Sequence, residues 1–359
     1  MVKLLKIIAK SLGGTFEWVL ILLIFLAFAI RTSPVQTYLA QLATEFLSAE
    51  LKTTIKIDAL DIVFIDRVDL KGVLVLDEKS DTLANIHSLL VNVSGINAFR
   101  NKVYIDDVSL DGGLVKISRD SLTGDYNYWF IQDYFDSGKK KTAKKSPPVK
   151  IKAISINNLR FHYDDYRKGY SDRGMDFDHL AFHSVKLDAR HIKVKNGIIS
   201  VVIKEFAATE KCGFELTRFN SIALISDKGL ALRKVNIVTP RSNIKSNDFK
   251  FLYTGYTDFR EFVDSVEFDV KLLPSKVSLK DISYFAPVLT GMDQQVVFSG
   301  KVSKFVKNLK IEKFELTTGE RSVLKGTINL PDYRDLKSSF YQERIEYAMI
   351  DIKDLEAIR

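Results

Sequence analysis

The sequence predicts a mainly β chain in which one membrane-crossing helix and one short amphipathic helix precede a long antiparallel meander. Three observations carry this. Apolar residues run unbroken from Trp18 to Ile30. A helical apolar period follows over residues 34–47, and from Thr53 onward the period falls to two. Little interrupts the second pattern, since the 359 residues include 24 Phe and 14 Tyr but only 7 Pro and 18 Gly.

The window from Leu12 to Ile30 carries one charge, Glu17. At roughly 1.5 Å per residue it is about 28 Å long, enough for a single crossing. Trp18, Leu20, Leu22, Phe25, Phe28 and Ile30 are its anchoring residues. Lys3, Lys6 and Lys10 hold the amino end in the cytoplasm, so the body lies across the membrane, which in a Gram-negative cell is the periplasm. Ala27-Phe28-Ala29 also has the small-x-small spacing of a signal-peptide cleavage site, so a leader removed near residue 29 competes with a retained anchor. Both readings export the body.

Just beyond, Ser33-Pro34 supplies an N-cap and a proline in the first helical turn. Val35, Tyr38, Leu39, Leu42, Phe46 and Leu47 then share one face, with Gln36, Gln41, Thr44 and Glu45 opposite. That polar face has no basic residue. The apolar face is therefore expected to pack across the open end of a sheet rather than on the bilayer.

The strands follow. Ile55 and Ile57 alternate with polar residues, and Val68, Leu70, Leu74 and Leu76 share a parity with Gly72 between them. Val103 and Ile105 precede Val108 and Leu110 on the opposite parity, which predicts a bulge at Asp106-Asp107. Asp111-Gly112-Gly113 reads as a hairpin leading to a strand with Val115 and Ile117. After an aromatic run from Tyr126 to Phe135, five lysines between Lys139 and Lys145 and the Ser146-Pro147-Pro148 segment read as a solvated linker.

Alternation resumes at Ile151 and recurs at short intervals. Parity turns Val201, Ile203, Phe249, Phe251, Phe268 and Phe298 inward, and Lys204, Lys250 and Glu267 toward water. Ser278 to Phe285 is a short helix stopped by Pro287. The organisation is a stub and anchor over 1–31, a helix and first β segment over 32–136, a linker over 137–150 and a continuing β body over 151–359. The last residues, Asp351 to Arg359, carry no cap or polar tail, so the chain is expected to be a fragment of a longer one.

No chemistry stands out. His179 and His183 have a zinc-ligand spacing but no intervening glutamate and no third ligand. Asp164, Asp165, Asp176 and Asp178 are too loosely spaced for a calcium loop. The lone Cys212 reads as a small buried hydrophobe. There is no nucleophile elbow and no phosphate-binding glycine loop. Although net charge is +8, the lysines lie mostly on alternating faces and in the linker, so no nucleic-acid module is indicated. We expect no enzyme activity and no cofactor. Asp81-Thr82-Leu83, Asp120-Ser121-Leu122 and Asp264-Ser265-Val266 have the form of an O-glycosylation acceptor at Thr82, Ser121 and Ser265, a weak pattern that chance also produces.

Thr32 through Leu39, Leu51 through Leu60, Leu70-Lys71-Gly72-Val73-Leu74-Val75-Leu76-Asp77 and Asp81-Thr82-Leu83 together resemble the amino-terminal part of TamB and its AsmA-like relatives. The likeness covers about the first 120 residues, and Leu279 through Leu289 resembles, more loosely, a helical insertion of AsmA-like chains. The resemblance implies an elongated, incompletely closed antiparallel β groove, anchored in the inner membrane. It implies passage of phospholipid or another acyl-chain lipid toward the outer membrane, and a TamA/BamA-like outer-membrane barrel as partner. The carboxy-terminal domain expected to meet that barrel is not in this sequence, so no residue is assigned to it. On this reading Val68, Leu70, Leu74, Leu76, Val115, Ile117, Val201, Ile203, Phe249, Phe251, Phe268 and Phe298 line the groove. The second expectation is an assembly factor for outer-membrane proteins acting with an Omp85-type barrel.

Overall fold

The alternating runs become strands, each pairing antiparallel with its chain neighbour. The computed structural model describes residues 32–64, 66–97, 102–137, 150–255, 258–259, 262–330 and 342–356. They belong to two compact units, one of residues up to 115 with 127–149 and one of 116–126 with 150–359. The expected anchor at 18–30, and the 137–150 linker apart from its end residues, lie outside the described residues. Among the described residues no helix is long and apolar enough to cross a membrane.

The first unit opens with α1 (Ser33–Leu51). Its cap position is Thr32 rather than the expected Ser33, which is already helical, and Pro34 lies in the first turn, where a missing N–H costs nothing. Lys52, left-handed at φ 54°, ends the helix with its N–H on the Ser48 carbonyl. Strands β1 (Ile55–Phe64), β2 (Arg67–Leu76), β3 (Thr82–Asn97) and β4 (Lys102–Arg119) form a meander, followed by α2 (Trp129–Ser137).

α1 corrects one expectation. Tyr38, Leu42 and Phe46 stand exposed, while Ala40 is buried and Leu39 and Ala43 are half-buried. The reason is a lock at the start of β1: the Ser48 hydroxyl donates to the Ile55 carbonyl at 3.2 Å and accepts from the Ile55 N–H at 3.0 Å. This sets the rotation of the helix, so its small residues rather than its rings meet the strand.

Asp106 is the extra residue of a bulge, as expected, because Asn92 pairs with Asp107 and Val93 with Ile105. The expected hairpin at Asp111-Gly112-Gly113 is not there. β4 runs straight through it, with Ser88 opposite Asp111 and Ile86 opposite Gly113. The glycines serve close approach instead. A Cβ on Gly112 would lie 2.5 Å from the His87 ring, and one on Gly72 would lie 1.9 Å from the Asp58 carboxylate, both at positive φ.

The second unit contains β5 (Lys150–Asp165), β6 (His179–Lys195), β7 (Ile198–Glu210), β8 (Glu215–Ser226), β9 (Gly229–Val238), β10 (Asn243–Leu252), β11 (Glu267–Ser278), β12 (Gln295–Phe305), β13 (Lys310–Thr318), β14 (Ser322–Asn329) and β15 (Gln342–Met349). Pairing follows chain order from β5 to β15, an open meander with no crossover among the described residues. Short helices sit at strand ends: α3 (Phe262–Ser265), α4 (Leu279–Ser283), which is the expected helix, and α5 (Ile352–Glu356). The β6–β7 turn is Asn196-Gly197 with both residues at positive φ, the geometry that matches strand twist in a two-residue hairpin.

Nearly every strand of this unit carries a bulge, which bends it and breaks ladder hydrogen bonds. Buried serines repair the breaks. The Ser221 hydroxyl donates to the Arg233 carbonyl at 3.0 Å and that of Ser246 to the Lys271 carbonyl at 2.8 Å, while Ser275 accepts from the Lys245 N–H at 3.0 Å. The turns at one end of the strands are held by buried carboxylates. Glu210 accepts from the Ala181 and Cys212 N–H groups, and although burial pushes its pKa up, these bonds hold it below the usual carboxylate range.

Candidate functional site

In the second unit, residues directly opposite across neighbouring strands share a face. One such row reads Val201, Ala223, Leu232, Phe249, Val270, Val302, Ile311 and Ile328, from β7 to β14. It is apolar at every strand. Two residues along lies a second row of Ile199, Ile225, Leu230, Phe251 and Phe268. Between them, on the other face, the row reads Ser200, Leu224, Ala231, Lys250, Asp269, Ser303, Lys310 and Asn329.

Sequence parity thus corresponds to two chemically distinct faces. Val201, Ala223, Leu232 and Val235 are buried against Ala189, with Ile154, Leu187, Ile203 and Phe249 packed around them. The Val, Leu, Ile and Phe side chains among them stabilise by about 1.5–3 kcal/mol each if fully buried. The opposite face carries ion pairs at its surface. Asp269 lies 3.8 Å from Lys250 and 3.2 Å from Lys301, and Glu315 lies 3.0 Å from Lys325. Such exposed pairs contribute about 0–1 kcal/mol each, so they mark the wet side more than they hold the fold.

Around β10 and β11 the aromatic residues of the apolar face form one cluster. Phe251 contacts Phe249, Phe268 and Phe262, with ring centroids 5.2, 4.8 and 5.8 Å away, and Phe259 and Tyr253 extend the cluster at 4.9 Å. Phe249, Phe251, Phe268 and Phe298 are only half-buried, so their rings are not sealed inside a second layer. Phe298 stacks on the buried Phe314 at 6.4 Å. Ile203 faces Ala189 and Ser221, two residues along from Val201. All six residues expected on the inner face here share it by register or parity.

The first unit is less uniform. Val68 and Leu70 join apolar rows, with Ile62, Val91 and Val108 and with Leu60, Leu89 and Leu110. Leu74 instead lies opposite Lys56 and Asn85, and the neighbouring apolar row is Ile55, Val75, Ala84 and Val115. Leu74 and Val115 therefore occupy adjacent rows and opposite faces. Leu76 pairs with Thr82 beside a bulge, and Ile117 shares the parity of Val115. The apolar residues change parity across the row of Asp58, Gly72, His87 and Gly112. Strict alternation from Val68 to Leu76 missed this, although Val73 and Val75 on the other parity signalled it.

The residues considered for chemistry are occupied by structure. His179 is buried in β6, its Nδ1 3.2 Å from Asp164 and its Nε2 3.3 Å from the Lys168 carbonyl, while His183 is exposed. Asp165 pairs with Arg167 and Arg119, and Asp176 caps the N–H groups of Ser171 and Asp178. Among the described residues no three His, Cys, Asp or Glu side chains converge as a metal site. Cys212 lies in the β7–β8 turn rather than in the core, half-buried, and burial pushes its thiol up to about 11. Ser121 is exposed in a turn, whereas Thr82 and Ser265 are half-buried. No protein-family model matches the chain, and no curated protein matches its sequence.

Proposed function

We propose that this chain is a membrane-anchored, TamB/AsmA-like lipid conduit whose apolar sheet face carries phospholipid or another acyl-chain lipid across the periplasm toward the outer membrane. The observation that carries the reading is the all-apolar row from Val201 to Ile328, continuous over eight strands and backed from β10 to β14 by a polar row. At about 4.8 Å per strand it extends roughly 34 Å, longer than one acyl chain. Moving an acyl chain through water costs on the order of 10 kcal/mol, at about 0.8 kcal/mol per methylene. A half-open apolar face lowers that barrier with no chemistry. The alternative, an assembly factor for outer-membrane proteins, would act through β15, the last strand of the sheet among the described residues, whose described side chains are exposed.

Photocrosslinkers at Phe251 and Phe298 in the full chain, in cells, separate the two: the conduit captures lipid at both positions, and the assembly factor captures polypeptide at β15. Absence of lipid at both apolar positions removes the conduit. A reporter fused after Arg31 should be active only when exported.

A further inference from the structure

Next to the β9–β10 turn, the polar face of the second unit is hollowed into an open cavity of about 510 Å³. Register explains its shape. Arg218 of β8 stands opposite Val238 of β9, and Val238 opposite Asn243 of β10, while the next row sets Asn236 of β9 opposite Lys245 of β10. Short side chains on the central strand therefore lie between long ones on its neighbours, and the result is a trough. Lys234, at φ 51° where β9 bulges against β8, adds a third cation from the middle strand. Lys276 of β11, opposite Asn243, continues the row.

These cations lack the carboxylates that this face supplies elsewhere. Lys186 meets Glu205 at 3.1 Å, Lys301 meets Asp269 at 3.2 Å and Lys325 meets Glu315 at 3.0 Å, each across neighbouring strands. Here Lys245 faces Asn236 and Lys276 faces Asn243 instead. No carboxylate lines the trough. Of the carboxylates that flank it, Glu205 is held by Lys186, Asp248 lies 3.1 Å from Lys250, and Glu215 accepts from the Thr217 hydroxyl at 3.4 Å. Among the described residues none of the three forms an ion pair with Arg218, Lys234, Lys245 or Lys276. Like charges gathered in this way repel one another and concentrate anions from solution.

We propose that the trough binds a phosphate monoester, either a free one or the headgroup of a phosphatidic acid. Such a group carries about two negative charges and three terminal oxygens, which suits cations arriving from three strands, whereas a single carboxylate needs only one. Arg218 offers a fork that can take two of those oxygens, and the lysines act as point charges. Asn243 adds a donor, because its amide oxygen is buried without a partner and its amino group, which has no acceptor, belongs to the lining. The recessed floor suits a small group better than an acidic protein surface, which would meet only the ends of the long side chains. The inference goes beyond the conduit reading and does not need it, since the trough lies on the face opposite the apolar rows.

The test is calorimetric titration of the full chain in neutral maltoside micelles at low ionic strength, with inorganic phosphate, glycerol 3-phosphate and dihexanoyl phosphatidic acid as probes. Saturable one-to-one binding is expected. Comparable affinity for glycerol 3-phosphate and the lipid assigns the site to the ester group alone, and a lipid at least tenfold tighter assigns it to headgroups. Arg218→Ser with Lys245→Ser should weaken binding about tenfold. Lys301→Ser with Lys325→Ser, which removes two paired cations from the same face, should change it less than about twofold. Asn247→Asp keeps every cation of the trough and sets a carboxylate in its lining, so it should weaken binding by itself whether or not the first double variant folds. The inference is overturned if none of the three probes binds saturably, if the two double variants lose equally, or if a hexaglutamate peptide binds more tightly than every phosphate compound. Lipid capture at Phe251 reports on the conduit separately, so either reading can fail alone.

Discussion

Phe251 and Phe268 face each other across β10 and β11, ring centroids 4.8 Å apart and ring planes at 74°. Edge-to-face pairs of this kind add about 0.5–1.5 kcal/mol beyond the area they bury. The pair also stands in the middle of the proposed lipid path, and each ring keeps some contact with solvent.

Phe251→Glu puts a carboxylate into that path. Because the position is half-buried, water reaches the charge, and the expected cost is about 1–3 kcal/mol rather than the penalty of a sealed core. The variant should be made in near-normal amount and lose lipid crosslinking at neighbouring positions. Lys250→Glu, one residue away on the charged face, should leave capture intact. Undiminished capture in both Phe251→Glu and Phe298→Glu would sink the conduit.

Asp281 joins α4 to the β9–β10 turn. Its carboxylate accepts from the Thr239 and Ser242 hydroxyls at 2.5 and 2.6 Å and from Arg241 Nε at 2.8 Å. Asp281→Ala leaves two buried hydroxyls and a guanidinium without their acceptor, so it should destabilise by about 3 kcal/mol. Thr239→Val, which removes one donor, should cost about 1 kcal/mol. Urea titrations of the purified full chain measure both, and an unchanged midpoint for Asp281→Ala would show the network to be idle.

What was legible in the sequence follows its physical origin. Period-two alternation reports side-chain facing directly, so the faces of β7, β10, β11 and β12 could be assigned from Val201, Phe249, Phe268 and Phe298. The Asp106 bulge was legible as a change of parity within one strand. Less visible was anything set by another strand. Gly112 and Gly113 carry the composition of a turn, but their role is to admit His87 and the β3 backbone, which lie far away in sequence. Likewise the rotation of α1 depends on Ser48 reaching Ile55, a contact that periodicity within the helix cannot reveal. The serine bridges across bulges were missed because Ser221, Ser246 and Ser275 read as ordinary strand residues.

Asp165 gives a pH prediction. The hydrogen bond from the Arg167 side chain, opposed by burial, holds its pKa down to about 2. A carboxyl depressed in the folded state contributes stability above its unfolded pKa of about 4, and that stability is lost as pH falls toward 2. The contribution should be on the order of 2 kcal/mol at neutral pH. Arg167→Ala, which removes the main partner while Arg119 remains 3.6 Å away, should flatten the fall in urea midpoint between about pH 4 and 2. An identical acid profile for the variant and the parent would assign that fall to other carboxyls.

Gly72 is the remaining case, where one missing Cβ decides whether two strands can pair. It lies within β2 at φ +60°, a conformation that costs an L-residue about 1–2 kcal/mol, and a Cβ there would stand 2.9 Å from the Asp58 Cβ as well as against its carboxylate. Gly72→Ala should therefore destabilise by about 2 kcal/mol or more, since both the dihedral and the contact oppose it. Combining it with Asp58→Ala relieves the carboxylate contact but neither the Cβ approach nor the dihedral, so recovery should be partial. Gly95→Ala is the control, for a Cβ there meets nothing within 4 Å and φ is not positive. If Gly72→Ala unfolded at the same urea concentration as Gly95→Ala, the strand would be adapting by moving Asp58 and relaxing its backbone, and the glycine would not be required for the close pairing of β1 with β2.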